Sequence, residues 1–253
     1  MAEPARVRVD VLGSPIDVLS WTDALDRIAH WACRKESRYV CICNAHSVVT
    51  ASQEADFSGV IAAADMATPD GAPVAWMIRR QGHPLQERIN GPDLMLRLSE
   101  RAAAEQIPVF LLGSTQETLD KLQAALLKRW PQLNVAGAFS PPFRSATDSE
   151  DHALVNMINA SAAGILLVSL GCPKQERWMA AHRGRINAVM LGVGAAFDFH
   201  AGVVRRAPPW MQRHSLEWLH RLASEPRRLW RRYLITNSLF LFKALRQVNS
   251  TRK

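Results

Sequence analysis

Short runs of Val, Ile, Leu and other apolar residues punctuate this chain at residues 7–11, 39–43, 109–112, 135–139, 165–170 and 188–193. Runs this short and this rich in β-branched side chains predict strands. Between several of them apolar positions return every third or fourth residue, which predicts helices over 21–34, 94–105, 115–129, 152–161 and 175–182. Strands alternating with helices predict an α/β fold: a Rossmann-like, mostly parallel sheet flanked by helices. Ser114 with Glu117 has the spacing of a capping box at one helix start. Residues 144–151 read as a polar surface connection, and no internal repeat or low-complexity tract appears.

The pattern changes after Arg205 and Arg206. Residues 211–223 and 227–248 read as two helices rich in Trp, Leu and Arg. In the second, Arg227, Arg228, Arg231 and Arg232 precede the apolar patch 239–242, far short of the ~20 apolar residues that cross a bilayer. A basic, aromatic amphipathic helix suits a membrane surface. It equally suits a helix packed on its own domain with its arginines in water. The chain therefore divides into an α/β core, 1–203, and a basic helical C-terminal appendage, 204–253.

Composition sharpens that division. At 253 residues and 48% hydrophobic, the chain can bury a full core, which excludes global disorder. The net charge of +8 is uneven: the appendage carries 12 Lys and Arg against 2 acids, the core 19 against 21. Such a segment can meet nucleic acid, anionic lipid or a phosphorylated substrate, and charge alone does not choose. The four cysteines, Cys33, Cys41, Cys43 and Cys172, have neither Cys-x-x-Cys spacing nor a Cys/His zinc pattern. Reduced thiols in a cytoplasmic protein are expected, and the first residues lack the apolar stretch of a secretory signal.

Candidate chemistry sits at the turns. The run at 165–170 ends in Gly171-Cys172-Pro173-Lys174-Gln175-Glu176, a strand feeding a helix, with Pro173 suited to the first helical turn. Free amides there, beside Lys174 and Gln175, could seat an anion such as a diphosphate, although most such turns bind nothing. Asp70, in Pro69-Asp70-Gly71 before a helix, is either an N-cap or a general base within a pocket. Arg88, in the polar turn 87–93, could fork onto a phosphate or pair with a surface acid. Asn44 follows a buried strand, where α/β sheets place ligands; His46 reads as structural. Asp198 is a site residue or a loop-stabilising acid. GVGA at 192–195 lacks a third glycine and an acidic ribose partner, so NAD binding is rejected. No Asp-x-Asp pair, Walker motif or Gly-x-Ser-x-Gly elbow appears.

Taken in order, CNAHSVVTA (43–51), PDGAPV (69–74), ERINGPDL (87–94), VFLLG (109–113), SLGCPKQE (169–176), GVGAAFDFHAG (192–202) and RAPPW…LEWLHRLASEPRRLWRRY (206–233) resemble the WecG/TagA/CpsF family, glycosyltransferase family 26. The resemblance spans about 7–233. It implies an inverting hexosyltransferase needing neither cofactor nor metal. Such an enzyme moves a hexose from a UDP-sugar to a sugar on polyprenyl diphosphate, at the inner face of a bacterial membrane, in exopolysaccharide or cell-surface polymer synthesis. Asp70 falls on the position of the base. Asn44, Arg88, Asp93, Gly171, Lys174, Gln175 and Asp198 form the implied binding set, and Arg206, Arg221 and Arg228 of the appendage close over the diphosphate as a lid that also contacts the membrane. Control through homo-oligomer assembly or membrane contact is also implied. Teichoic-acid members carry Thr two residues before the Asn where this chain has Ile42, which weighs against N-acetylmannosamine as donor and brings in glucose. Two other readings remain at this level: a nucleic-acid-binding protein using its basic tail, and an inactive transferase serving as scaffold. The tail's charge permits the former but leaves both turns unexplained; intact Asp70 and Gln175 argue against the latter.

Overall fold

In the computed structural model of the chain, the described residues are 6–250, without the side chains of Arg228, Arg232, Asn249 and Ser250. The chain opens with a hairpin, β1 (Arg8–Val11) and β2 (Ser14–Asp17), paired antiparallel. Then come α1 (Trp21–Cys33), β3 (Arg38–Cys43), α2 (Ala45–Ala51), α3 (Ala55–Ala62), β4 (Met66–Pro69), α4 (Ala72–Arg80) and α5 (Gly91–Ala104). The second half of the core holds β5 (Val109–Gly113), α6 (Gln116–Arg129), β6 (Val135–Phe139), α7 (Asp148–Ala160), β7 (Ile165–Ser169), α8 (Lys174–His182), β8 (Val189–Gly192) and α9 (Ala196–His200). The appendage forms α10 (Pro209–Arg213), α11 (Glu217–Ser224) and α12 (Pro226–Ser250).

Six strands make one parallel sheet in the order β4-β3-β8-β7-β5-β6. Alternation along each strand splits its side chains between two cores. In β3, Tyr39, Cys41 and Cys43 face a core shared with α2, α3, α4, α7, α8 and part of α12. Val40 and Ile42 face the other, shared with α1, α5, α6 and α9. Both faces are thus covered, as a parallel sheet requires. The connection after β5 leads to β6 on one side, while that after β7 leads to β8 on the other, so a crevice opens at the carboxyl ends of the strands. Gly113 sits at this divide with φ 116°, and a Cβ there would meet Ser169 O at 2.2 Å. Only glycine fits so close an approach.

The predicted strands form, with β1 drawn into the hairpin rather than the main sheet. Two elements were not legible as strands. Ser14-Pro15-Ile16-Asp17 and Met66-Ala67-Thr68-Pro69 mix polar and apolar residues, and tertiary pairing decides them. Pro69 is tolerated because β4 is an edge strand. The expected capping box at Ser114 is corrected. Ser114 has φ 59° and donates its N–H to Ser169 O, so Thr115 takes the N-cap instead and accepts from Thr118 N, while Glu117 pairs with Lys121. A capping box does form at Thr147 and Glu150, which starts α7 at Asp148, inside the stretch expected to be a surface connection. The single helix expected over 211–223 is broken into α10 and α11 at Ser215, φ 62°.

The last helix is bound to the core at its far end. Leu229, Phe240 and Ala244 are buried, and α12 packs against α2 and α4. Gln247 donates to Asp10 and accepts from Leu12 N at 3.0 Å, and Lys243 Nζ donates to Ser52 Oγ at 2.7 Å. Another side of α12, bearing Trp230, Leu234, Ile235, Leu241, Phe242 and Leu245, stays exposed.

Candidate active site

At the carboxyl edge of the sheet the backbone fixes one carboxylate. Asp70 N donates to Cys43 O at the end of β3, and Ile89 N donates to Pro69 O, both at 2.9 Å. The turn is thereby strapped between β3 and the segment carrying Arg88. Gly71, at φ 82°, is the N-cap of α4, so Asp70 lies outside the helix and caps nothing. Its partner is Asn44, N-cap of α2, whose Oδ1 accepts from His46 N and Ser47 N at 3.0 and 3.2 Å. With its oxygen spent on the helix, the amide group of Asn44 is left to hydrogen-bond Asp70. Dense surroundings push the Asp70 carboxyl up to about 6, against the pull of Arg88, with Glu217 adding to the rise.

Charged groups from the appendage close over this point. Glu217 of α11 pairs with Arg88 (Nη1–Oε2 3.5 Å) and accepts from Arg206 Nε at 2.9 Å. Arg206 also binds Asp93 through Nη1 and reaches Asn90 Oδ1 at 3.5 Å. Asp93 accepts from Asn90 Nδ2 at 2.7 Å; although burial opposes it, the Arg206 and Asn90 hydrogen bonds hold its carboxyl below the usual range. Arg221, one helical turn after Glu217, acts on Asp70 electrostatically and lies over the Phe199 ring, 5.4 Å from its centroid. Its Nε is buried without a hydrogen-bond partner.

The turn after β7 supplies an amide. Gly171, φ 79°, accepts from Gln175 N at 2.9 Å, Pro173 forms the N-cap of α8 after a cis Cys172–Pro173 bond, and Lys174 opens the helix, exposed. Gln175 is buried beneath β8: a Cβ on Gly192 would stand 2.9 Å from its Nε2. That nitrogen donates to Glu176 Oε1 at 2.9 Å, while Gln175 Oε1 is buried with no hydrogen-bond partner. Burial raises the Glu176 carboxyl. A buried amide oxygen left open is costly unless a donor arrives, and a ligand hydroxyl is such a donor. Asp198 lies on α9, where its carbonyl accepts from Val203 N and Val204 N and braces the exit toward the appendage.

The structure brings Asn44, Asp70, Arg88 and Arg221 into one electrostatic cluster. It commits Arg206 and Asp93 largely to each other. The side chain of Arg228 lies outside the described residues. Ile42 is buried in the core facing α1 and α5. Glu217 was missed, although the sequence held a signal: it is one of only two acids in a segment with 12 basic residues. Among the described residues no group of three or more His, Cys, Asp and Glu could hold a metal ion, and no helix is long and apolar enough to cross a membrane. The profile of the glycosyl transferase WecG/TagA/CpsF family matches residues 9–253, nearly the whole chain.

Proposed function

The chain belongs to the WecG/TagA/CpsF family of glycosyltransferases, and from that premise we propose that it moves a hexose, of glucose or N-acetylmannosamine type, from a UDP-sugar to a polyprenyl-diphosphate-linked sugar. Asp70 is the general base. Its carboxylate takes the proton of the acceptor hydroxyl as that oxygen bonds to the anomeric carbon. The bond from that carbon to the UDP oxygen breaks with its electron pair leaving on the diphosphate, and attack from the opposite face inverts the configuration. The observation that carries this reading is the placement of the Asp70 carboxyl at the carboxyl edge of the sheet, strapped to the end of β3, hydrogen-bonded to Asn44 and facing Arg88 and Arg221, with burial raising it to about 6. A base of that kind is largely ionised at neutral pH yet basic enough to help a hydroxyl.

The leaving diphosphate needs positive charge. Arg221 supports this part, since its buried Nε has no protein partner and suits a phosphate oxygen. Arg88 adds a second guanidinium beside Asp70. Arginines and helix N-termini thus take the work that a divalent cation performs elsewhere. Gln175 Oε1 offers an acceptor to a sugar or ribose hydroxyl.

The acceptor lipid calls for a membrane. The exposed Trp, Leu and Phe side chains of α12 and the basic charge of the appendage fit a peripheral contact at the inner face of a bacterial membrane. On this reading, residues 204–253 are both lid and membrane contact, and the product feeds an exopolysaccharide or another cell-surface polymer. Calorimetry on EDTA-treated protein tests the donor half: UDP and UDP-hexoses bind, and free hexoses do not. Absence of binding by every uridine diphosphate tried overturns the reading.

A further inference from the structure

Arg88 stands between two carboxylates and pairs with only one. Its ion pair is to Glu217, at 3.5 Å, and no ion pair joins it to Asp70 among the described residues, although its charge acts on Asp70. Glu217 is itself fixed by Arg206 Nε at 2.9 Å, and Arg206 is tied to Asp93 of α5. One lid carboxylate therefore holds Arg88 by an arrangement anchored in the core. The groups facing Asp70 are Asn44, Cys43 at the end of β3, Arg88, and Glu217 and Arg221 of α11.

Remove Glu217 and the partly buried Arg88 loses its counter-charge. An unpaired guanidinium in such a place is costly. Asp93 is already taken by Arg206, so Asp70 is the carboxylate to which Arg88 turns. A guanidinium paired with Asp70 would occupy the oxygens that must receive the acceptor's proton and would make the carboxylate a weaker base.

Resting on the reading of Asp70 as the base, we propose that Glu217 is a positioning residue: docked with α11 beside Asp70, it draws Arg88 off Asp70 and leaves that carboxylate free to accept a proton. Readiness of the base is thereby tied to closure of the lid. When α11 lifts, Arg88 returns to Asp70, and the enzyme is held idle without its acceptor.

The test is a titration of the full chain by ¹³C NMR of labelled Asp carboxyls, with the Asp70 signal assigned by its loss in Asp70→Asn. In Glu217→Gln the Asp70 midpoint drops by about one to three pH units, the usual effect of an adjacent arginine. Adding Arg88→Gln restores the midpoint to the wild-type value or above. Arg88→Gln alone is the reference, because removing the Arg88 charge raises the midpoint in any case. Withdrawal of Arg88 predicts that Glu217→Gln lowers the midpoint far less in the Arg88→Gln background than in the wild type, whereas a loosened lid, or mere loss of the Glu217 charge beside Asp70, lowers it equally in both. Glu217→Ala serves equally should the amide variant not fold. An unmoved midpoint in Glu217→Gln, or a drop of equal size in the wild-type and Arg88→Gln backgrounds, overturns the proposal. The acid limb of kcat/KM separates this proposal from the reading beneath it. If the NMR midpoint falls as stated and the acid limb stays put, Glu217 holds Arg88 as proposed and Asp70 is not the base.

Discussion

Asp70→Asn keeps the shape of the side chain and removes its charge, and the structure dictates two opposite consequences. The folded state raises the carboxyl from 3.8 to about 6. At ~1.4 kcal/mol per unit, the ionised group disfavours folding by about 3 kcal/mol. Because the folded value is the higher one, the native state binds more protons than the unfolded chain between the two values. Stability is therefore lost as pH rises from about 4 to about 6 and stays lost above that window. An amide never ionises, so the variant should be more stable than the parent at neutral pH. The gain should be ~1–3 kcal/mol, trimmed because the new side chain must re-form its hydrogen bond to Asn44. Near pH 4 the two proteins should be equally stable. Turnover should fall ~100- to 10,000-fold as proton removal from the acceptor is lost. Urea unfolding at both pH values, beside a UDP-release assay, measures all of this. A variant less stable than the parent at neutral pH would show that the Asp70 charge is not destabilising, and one with nearly full activity would remove Asp70 as the base.

Three further outcomes follow from separate parts of the molecule. Arg221→Ala should weaken UDP binding by ~10- to 100-fold, the scale of a charge-assisted hydrogen bond in a buried setting, measured by calorimetry in EDTA; unchanged affinity would remove Arg221 from the diphosphate site. Gly113→Ala should cost ~2–4 kcal/mol in denaturant unfolding, since the new methyl meets Ser169 O at 2.2 Å and φ is 116°. Replacing Leu241 and Phe242 together with Ser should reduce sedimentation with anionic vesicles and leave UDP binding unchanged, because both side chains are exposed on α12.

The α/β fold was legible because short, almost wholly apolar runs such as residues 165–169 and 109–113 are buried on both faces, between two helical layers. The edge strand Met66–Pro69 was not, since its pairing with β3, rather than any apolar run, makes it a strand. Asp70 was visible as an Asp-Gly turn before a helix, but whether it caps that helix depended on Gly71 taking the N-cap, a matter of one backbone angle. Gln175 was legible from its turn, whereas the space that buries it comes from Gly192, distant in sequence. Arg206 and Arg221 look alike in the sequence. Only the fold pairs the first with Asp93 and leaves a buried nitrogen of the second open. Glu217 falls in the same class, because its role arises from a meeting of Arg88 and Arg206 across 118 positions of sequence.

If Asp70 and the arginines carry hexosyl transfer without a metal, UDP release reports it. A panel of UDP-hexoses would be offered to the full chain in EDTA, with glucose or N-acetylglucosamine on a polyprenyl-diphosphate carrier. Release with one donor, dependent on acceptor and lost in Asp70→Asn, is the predicted result. Release that needs added divalent cation, or that survives loss of the Asp70 carboxylate, would contradict it.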